Sequence, residues 1–200
     1  MEQAFLRSFS PSNEQHADPE ALIFYCLSGL AVRSKTEEDR REIGKLLEYA
    51  QVRHPYHPGV LHYLIHSYDT PKLASKGLEA AYRYGQVAPD VPHALHMPSH
   101  IFERLGLWYD SLSSNVRALK AAIKYSQALY GREQSKFAVD EVLTVVNTTA
   151  AVNSALIEPA SQQWEGIIHP LSFLMKALAQ TGQVYRGEVL PIFHWKLKML

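Results

Sequence analysis

The stretch HPGVLHYLIHSYDTPKLASKGLEAAYRYGQVAPDVPHALHMPSHIFERLG, residues 57 to 106, decides the fold because it repeats itself. Shifted by 34 residues, Pro58 falls on Pro92, Leu61 on Leu95, His62 on His96 and His66 on His100. The match runs on through Tyr68 and Phe102, Asp69 and Glu103, Leu73 and Leu107, Leu78 and Leu112, Arg83 and Arg117, and Ala88 and Ala122. A fixed period of this length marks stacked supersecondary units, each unable to bury its apolar face alone and each building a shared core with its neighbours.

Carried backwards, the same offset sets Leu27 on Leu61, Leu30 on Leu64 and Pro55 on Pro89, a weaker copy with helices expected over 24–34 and 39–51. In the central unit, residues 58–68 read as a helix, Thr70 before Pro71 as a break, and 73–87 as a second helix stopped by Pro89. The following unit turns at Gly106 instead. After Gly131 the period is lost. FAVDEVLTVVNTTAAVNSALI (137–157) has apolar residues at helical spacing, and LSFLMKALAQTGQVYRGEVLPIF (171–193) reads as a degenerate closing helix pair turning at Gly182. The expected organisation is an N-terminal segment 1–22, repeats over 23–130 (about 24–57, 58–91 and 92–125), and a divergent helical part 131–200 of the same domain.

The small, aromatic, Gly and Ala positions of SHIFERLGLWYDSLSSNVRA (99–118) resemble the tetratricopeptide repeat (TPR) family, over roughly residues 24 to 125. The resemblance implies an all-α, right-handed helix-turn-helix solenoid of TPR-like helix pairs with a degenerate C-terminal helical unit. HPGVLHYLIHSYD and HALHMPSHIFERLG resemble more narrowly two stretches carried by a group of bacterial TPR proteins, which implies a fold and no activity. In the family, the first helices of successive units line a concave groove, so the resemblance places His62, His66, Asp69, His96, His100 and Glu103 on its floor.

Two hundred residues at 46% hydrophobic content suffice for one domain with a real core. Lys plus Arg and Asp plus Glu both number 20, and the cancelled charge argues against a nucleic-acid partner, which needs a strong positive field. The lone Cys26 sits in an apolar run and reads as a buried thiol with no disulfide to make. The first residues, MEQAFLRSFSPSNEQH, lack an apolar signal core, and no apolar run approaches the roughly 18 residues of a membrane span. A soluble, cytoplasmic protein is expected.

Seven of the ten histidines, His54, His57, His62, His66, His93, His96 and His100, crowd into 47 residues. Spacings of four and then three put His62, His66 and Asp69 on one helix face, and His96, His100 and Glu103 repeat them. Packed helices lie about 8–10 Å apart, a gap that facing imidazoles bridge when each sits about 2.0–2.1 Å from zinc or another divalent ion. His62, His66, His96 and His100 are therefore the expected ligands of a metal site, with Asp69 or Glu103 as a further ligand or an orienting partner.

The string around His62 is not HExxH, since Tyr63 stands where the metalloprotease base belongs. No GxSxG, GxxxxGK or GxGxxG occurs either, so no catalytic residue is assigned. Pro98, between His96 and His100, is expected to kink the second row. Tyr68, Phe102 and Trp108 read as aromatic wedges between helices, and KTEEDRRE (35–42) as a solvated helix start. The leading expectation is a TPR-type interaction scaffold gripping a partner protein or peptide in its groove; the alternative is a divalent-metal-binding protein or metal-dependent hydrolase using the two histidine rows. Self-association through the divergent C-terminal part is a third reading.

Overall fold

The computed structural model describes residues 19–32, 36–130 and 164–181. Within them the chain is all-helical, with no strand. Helix α1, Pro19–Val32, begins earlier than position 24 because Pro19 supplies a preset first-turn φ and Glu20 a favourable charge at the N-terminus. Helix α2, Glu37–Arg53, is started by a capping box: Thr36 accepts from the Asp39 amide while the Asp39 side chain accepts from the Thr36 amide. Helix α3, Pro58–Tyr68, coincides with the expected segment. Its cap is His57, whose Nδ1 accepts from the Gly59 amide at 3.2 Å while Nε2 meets Glu20 at 2.8 Å.

The partner of α3 departs from expectation in its first half. Residues Ala74–Gly77 wind as a 3₁₀ turn before α4, Leu78–Val87. Gly77 is pressed against Ile101 and Tyr68, where a Cβ would lie 2.8 Å from Ile101 Cδ1, so the tighter turn brings backbone close to the neighbouring helix. Pro98 splits the next helix as the sequence suggests, giving α5, Pro92–His96, and α6, Pro98–Arg104. Gly106, at φ 71°, ends α6 in the left-handed region, with the Leu107 amide donating to the Phe102 carbonyl at 2.8 Å. Helix α7, Trp108–Tyr130, follows, and α8, Trp164–Gln180, packs along it. The expected helix over 137–157 and the second arm of the closing pair lie outside the described residues.

Packing runs between neighbours. Helix α1 touches α2 and α3; α3 touches α2, α4 and α6; α4 touches α5 and α6; α5 and α6 rest on α7; and α8 lies on α7 and reaches α5. One apolar cluster threads the array, from Leu22, Ile23 and Cys26 through Leu47, Leu61, Leu64 and Ile65 to Ile101 and Phe102. Tyr68 is fully buried within it as a wedge, its hydroxyl donating to Glu48 Oε1 at 2.7 Å. Cys26 is fully buried as expected, and burial pushes its thiol up to about 12. None of the described helices is long and apolar enough to cross a membrane.

Candidate metal centre

Helices α3, α5, α6 and α8 bring six histidines together in two trios, His62–His66–His93 and His96–His100–His169. In each, one ring nitrogen from every member lies within 4.8 Å of the others. The pattern is shared. A pair four residues apart comes from one repeat, and the third ring from a further helix, α5 for the first trio and α8 for the second.

In the first trio, His62 Nε2 stands 3.1 Å from His66 Nε2 and 3.1 Å from His93 Nε2. Tyr63 and Tyr84 stack on the His62 ring from 4.9 and 5.4 Å, fixing its plane. Burial, then the neighbouring imidazoles, holds His62 down at about 3 and His66 at about 4, and lowers His93 for the same reasons. Neutral rings keep the lone pairs that a metal needs.

The second trio is ordered by outside partners. His96 is 1% exposed, and its Nδ1 lies 2.7 Å from Asn115 Oδ1, while the Asn115 amide nitrogen donates to the Ser111 carbonyl at 2.8 Å. The Asn115 oxygen therefore faces the ring, which fixes the proton of His96 on Nδ1. His100 Nδ1 donates to Asp69 Oδ2 at 3.0 Å, and Arg104 Nε donates to Asp69 Oδ1 at 2.8 Å. Burial would raise the Asp69 carboxyl, but these two donors bring it below its ordinary value. With both Nδ1 protons committed, His96 Nε2 and His100 Nε2 face each other at 3.1 Å as two lone pairs, an arrangement that a metal ion between them would satisfy. His96 is driven down to about 3, chiefly by burial. His169 closes the trio, its ring 4.5 Å from His96 and 5.7 Å from His100, with Phe173 packed on all three rings.

Nitrogens bound tetrahedrally at about 2.0–2.1 Å stand about 3.3 Å apart, so the contacts of 3.1 Å need a few tenths of an ångström of spread, while the remaining nitrogens, within 4.8 Å of the others, would draw in to accept an ion. Imidazole without thiolate suits zinc, copper, nickel or iron. Three protein ligands leave a coordination position open.

The expected residues fall as follows. His62 and His66 meet each other, as do His96 and His100, and the two pairs touch through His66 and His100, whose rings are 6.2 Å apart. Asp69 does not serve its own row; it caps α3 and orients His100 of the next unit. Glu103 does not copy Asp69: its Oε2 pairs with Lys176 of α8, and burial raises its carboxyl while Lys176 pulls the other way. Sequence reasoning left His93 and His169 out of the ligand set. His93, three residues before His96, was legible as an extension of that row, whereas His169 lies beyond the loss of the period and carries no spacing signal. A scan against protein-family models and searches of curated proteins and of solved structures find no match.

Proposed function

We propose that the chain is a metal-binding helical-repeat protein, a right-handed TPR-like solenoid whose groove face holds two transition-metal ions in adjacent three-histidine sites. The observation that carries this reading is the approach of His96 Nε2 to His100 Nε2 with both Nδ1 protons already given to Asn115 and Asp69. A proton could satisfy two rings, but the third ring beside them suits an ion that takes three lone pairs.

The full-length protein, saturated with zinc and freed of excess by gel filtration, should carry two ions per chain, one for each trio. His62→Ala and His96→Ala should each lose one of them, and the double variant both. A wild-type chain that leaves the column without zinc refutes the reading.

Packing between successive helix pairs also favours the scaffold reading, because such a stack offers one continuous face to a partner segment. His66→Ala should then weaken capture of a partner without unfolding the chain. Partner capture unchanged in that variant counts against a groove-bound partner.

A further inference from the structure

Glu103 is left over once the trios are assigned. Its side chain is only 6% exposed, Oε2 takes the Lys176 ammonium, and Oε1 is buried with no hydrogen-bond partner among the described residues. A buried carboxylate oxygen without a donor is costly unless it serves a ligand.

Its position names the ligand's neighbourhood. Glu103 follows His100 by three residues on α6, and Lys176 follows His169 by seven on α8, so both pairs share one face of the α6–α8 contact. Phe173, packed on the three imidazoles, comes from the turn of α8 between His169 and Lys176 and walls that side. Glu103 is not among the ligand atoms lying within 4.8 Å of one another, yet it stands one turn from His100 on α6 and His100 acts on its carboxyl electrostatically. A carboxylate beside a ligand but outside the ligand set can serve what an ion holds rather than the ion.

We propose that the His96–His100–His169 site activates water to hydrolyse small uncharged carboxylic esters or amides, with Glu103 Oε1 as the general base. This rests on the metal reading above. A water at the open position gives a proton to Oε1 as its oxygen forms a bond to the acyl carbon. The acyl carbon to leaving-group bond then breaks, and the proton on Oε1 passes to the departing oxygen or nitrogen, which restores the carboxylate. An uncharged acyl substrate is favoured over a phosphate ester because the nearby cations are already held: Arg40 by the His66 carbonyl, Arg104 by Asp69 and Lys176 by Glu103.

The test uses the full zinc-loaded chain with 4-nitrophenyl acetate, with bis(4-nitrophenyl) phosphate beside it, and zinc content measured on every sample. The wild type should cleave the ester faster than His96→Ala in equal zinc, and should leave the phosphate diester untouched. Glu103→Gln should keep its zinc yet lose about 100-fold or more in kcat, and Glu103→Asp should recover part of it. The proposal is overturned by a zinc-loaded wild type no faster than His96→Ala, by preferred cleavage of the diester, or by an active Glu103→Gln. A chain that retains no zinc overturns the metal reading itself, and the zinc assay tells that outcome from the others.

Discussion

Asp69→Ala separates the two sites. Asp69 accepts from His100 Nδ1 at 3.0 Å and is held by Arg104 at 2.8 Å, so it fixes both the tautomer and the direction of one ligand in the second trio. It has no hydrogen bond to His62, His66 or His93, although its charge reaches His66. Loss of such an orienting partner costs about 10- to 100-fold in metal affinity, which converts to about 1.4–2.7 kcal/mol. The loss should fall on one of two binding steps when the protein is titrated with zinc against a chromogenic chelator, while the other step shifts by less than about threefold, about half of the tenfold, 1.4 kcal/mol unit. His96→Ala, run alongside, assigns the step that moved. An unchanged affinity in both steps, or equal losses in both, would falsify the division of the six histidines into one trio oriented by Asp69 and one without it.

Gly44→Ala should lower stability by about 1–3 kcal/mol in urea unfolding, because the added methyl would collide with the buried Tyr68 ring; an unchanged midpoint would mean that α2 and α3 yield at no cost. The metal-free protein should lose stability as pH falls from about 6.5, the ordinary histidine value, towards the folded values of about 3 for His62 and His96 and about 4 for His66. In that window the unfolded chain takes up protons that the native rings refuse, at up to about 1.4 kcal/mol per pH unit for each ring; the raised carboxyl of Glu103 opposes this with a smaller contribution of the other sign. Thermal melting across that range checks the slope, and a flat profile would contradict the burial of the trios. Cys26, fully buried with its thiol held up near 12, should resist a thiol reagent until the chain unfolds; rapid labelling of the native protein would show that α1 detaches from α2 and α3.

Much of this arrangement was legible from one period. The residues that bound α3 were legible too, because Pro58 and the break at Thr70 before Pro71 bracket it with backbone signals. The 3₁₀ turn at Ala74–Gly77 was not legible, since it answers to the close approach of Ile101, a contact made only after the units stack. The kink at Pro98 was legible from a missing amide; its effect on His96 and His100 was not. Both rings still turn Nε2 towards each other across the break. Asp69 and Glu103 align in sequence yet differ in role, for the neighbour that each meets is set by the next unit: His100 and Arg104 for one, Lys176 of α8 for the other. His169 lay beyond any spacing argument, because tertiary packing alone carries α8 back onto α7.

Each trio takes two rings four residues apart and a third from another helix, His93 of α5 for the first and His169 of α8 for the second. An excised single pair would keep only two of the three rings of a trio, so the full set of donors exists only where one helix meets the next. On the proposed metal reading, a copy of residues 92–125 would bring its own His93, His96 and His100 and with them the donors for a further site, whereas a copy of 58–91, with Gly59 where His93 stands, would bring two rings and no third.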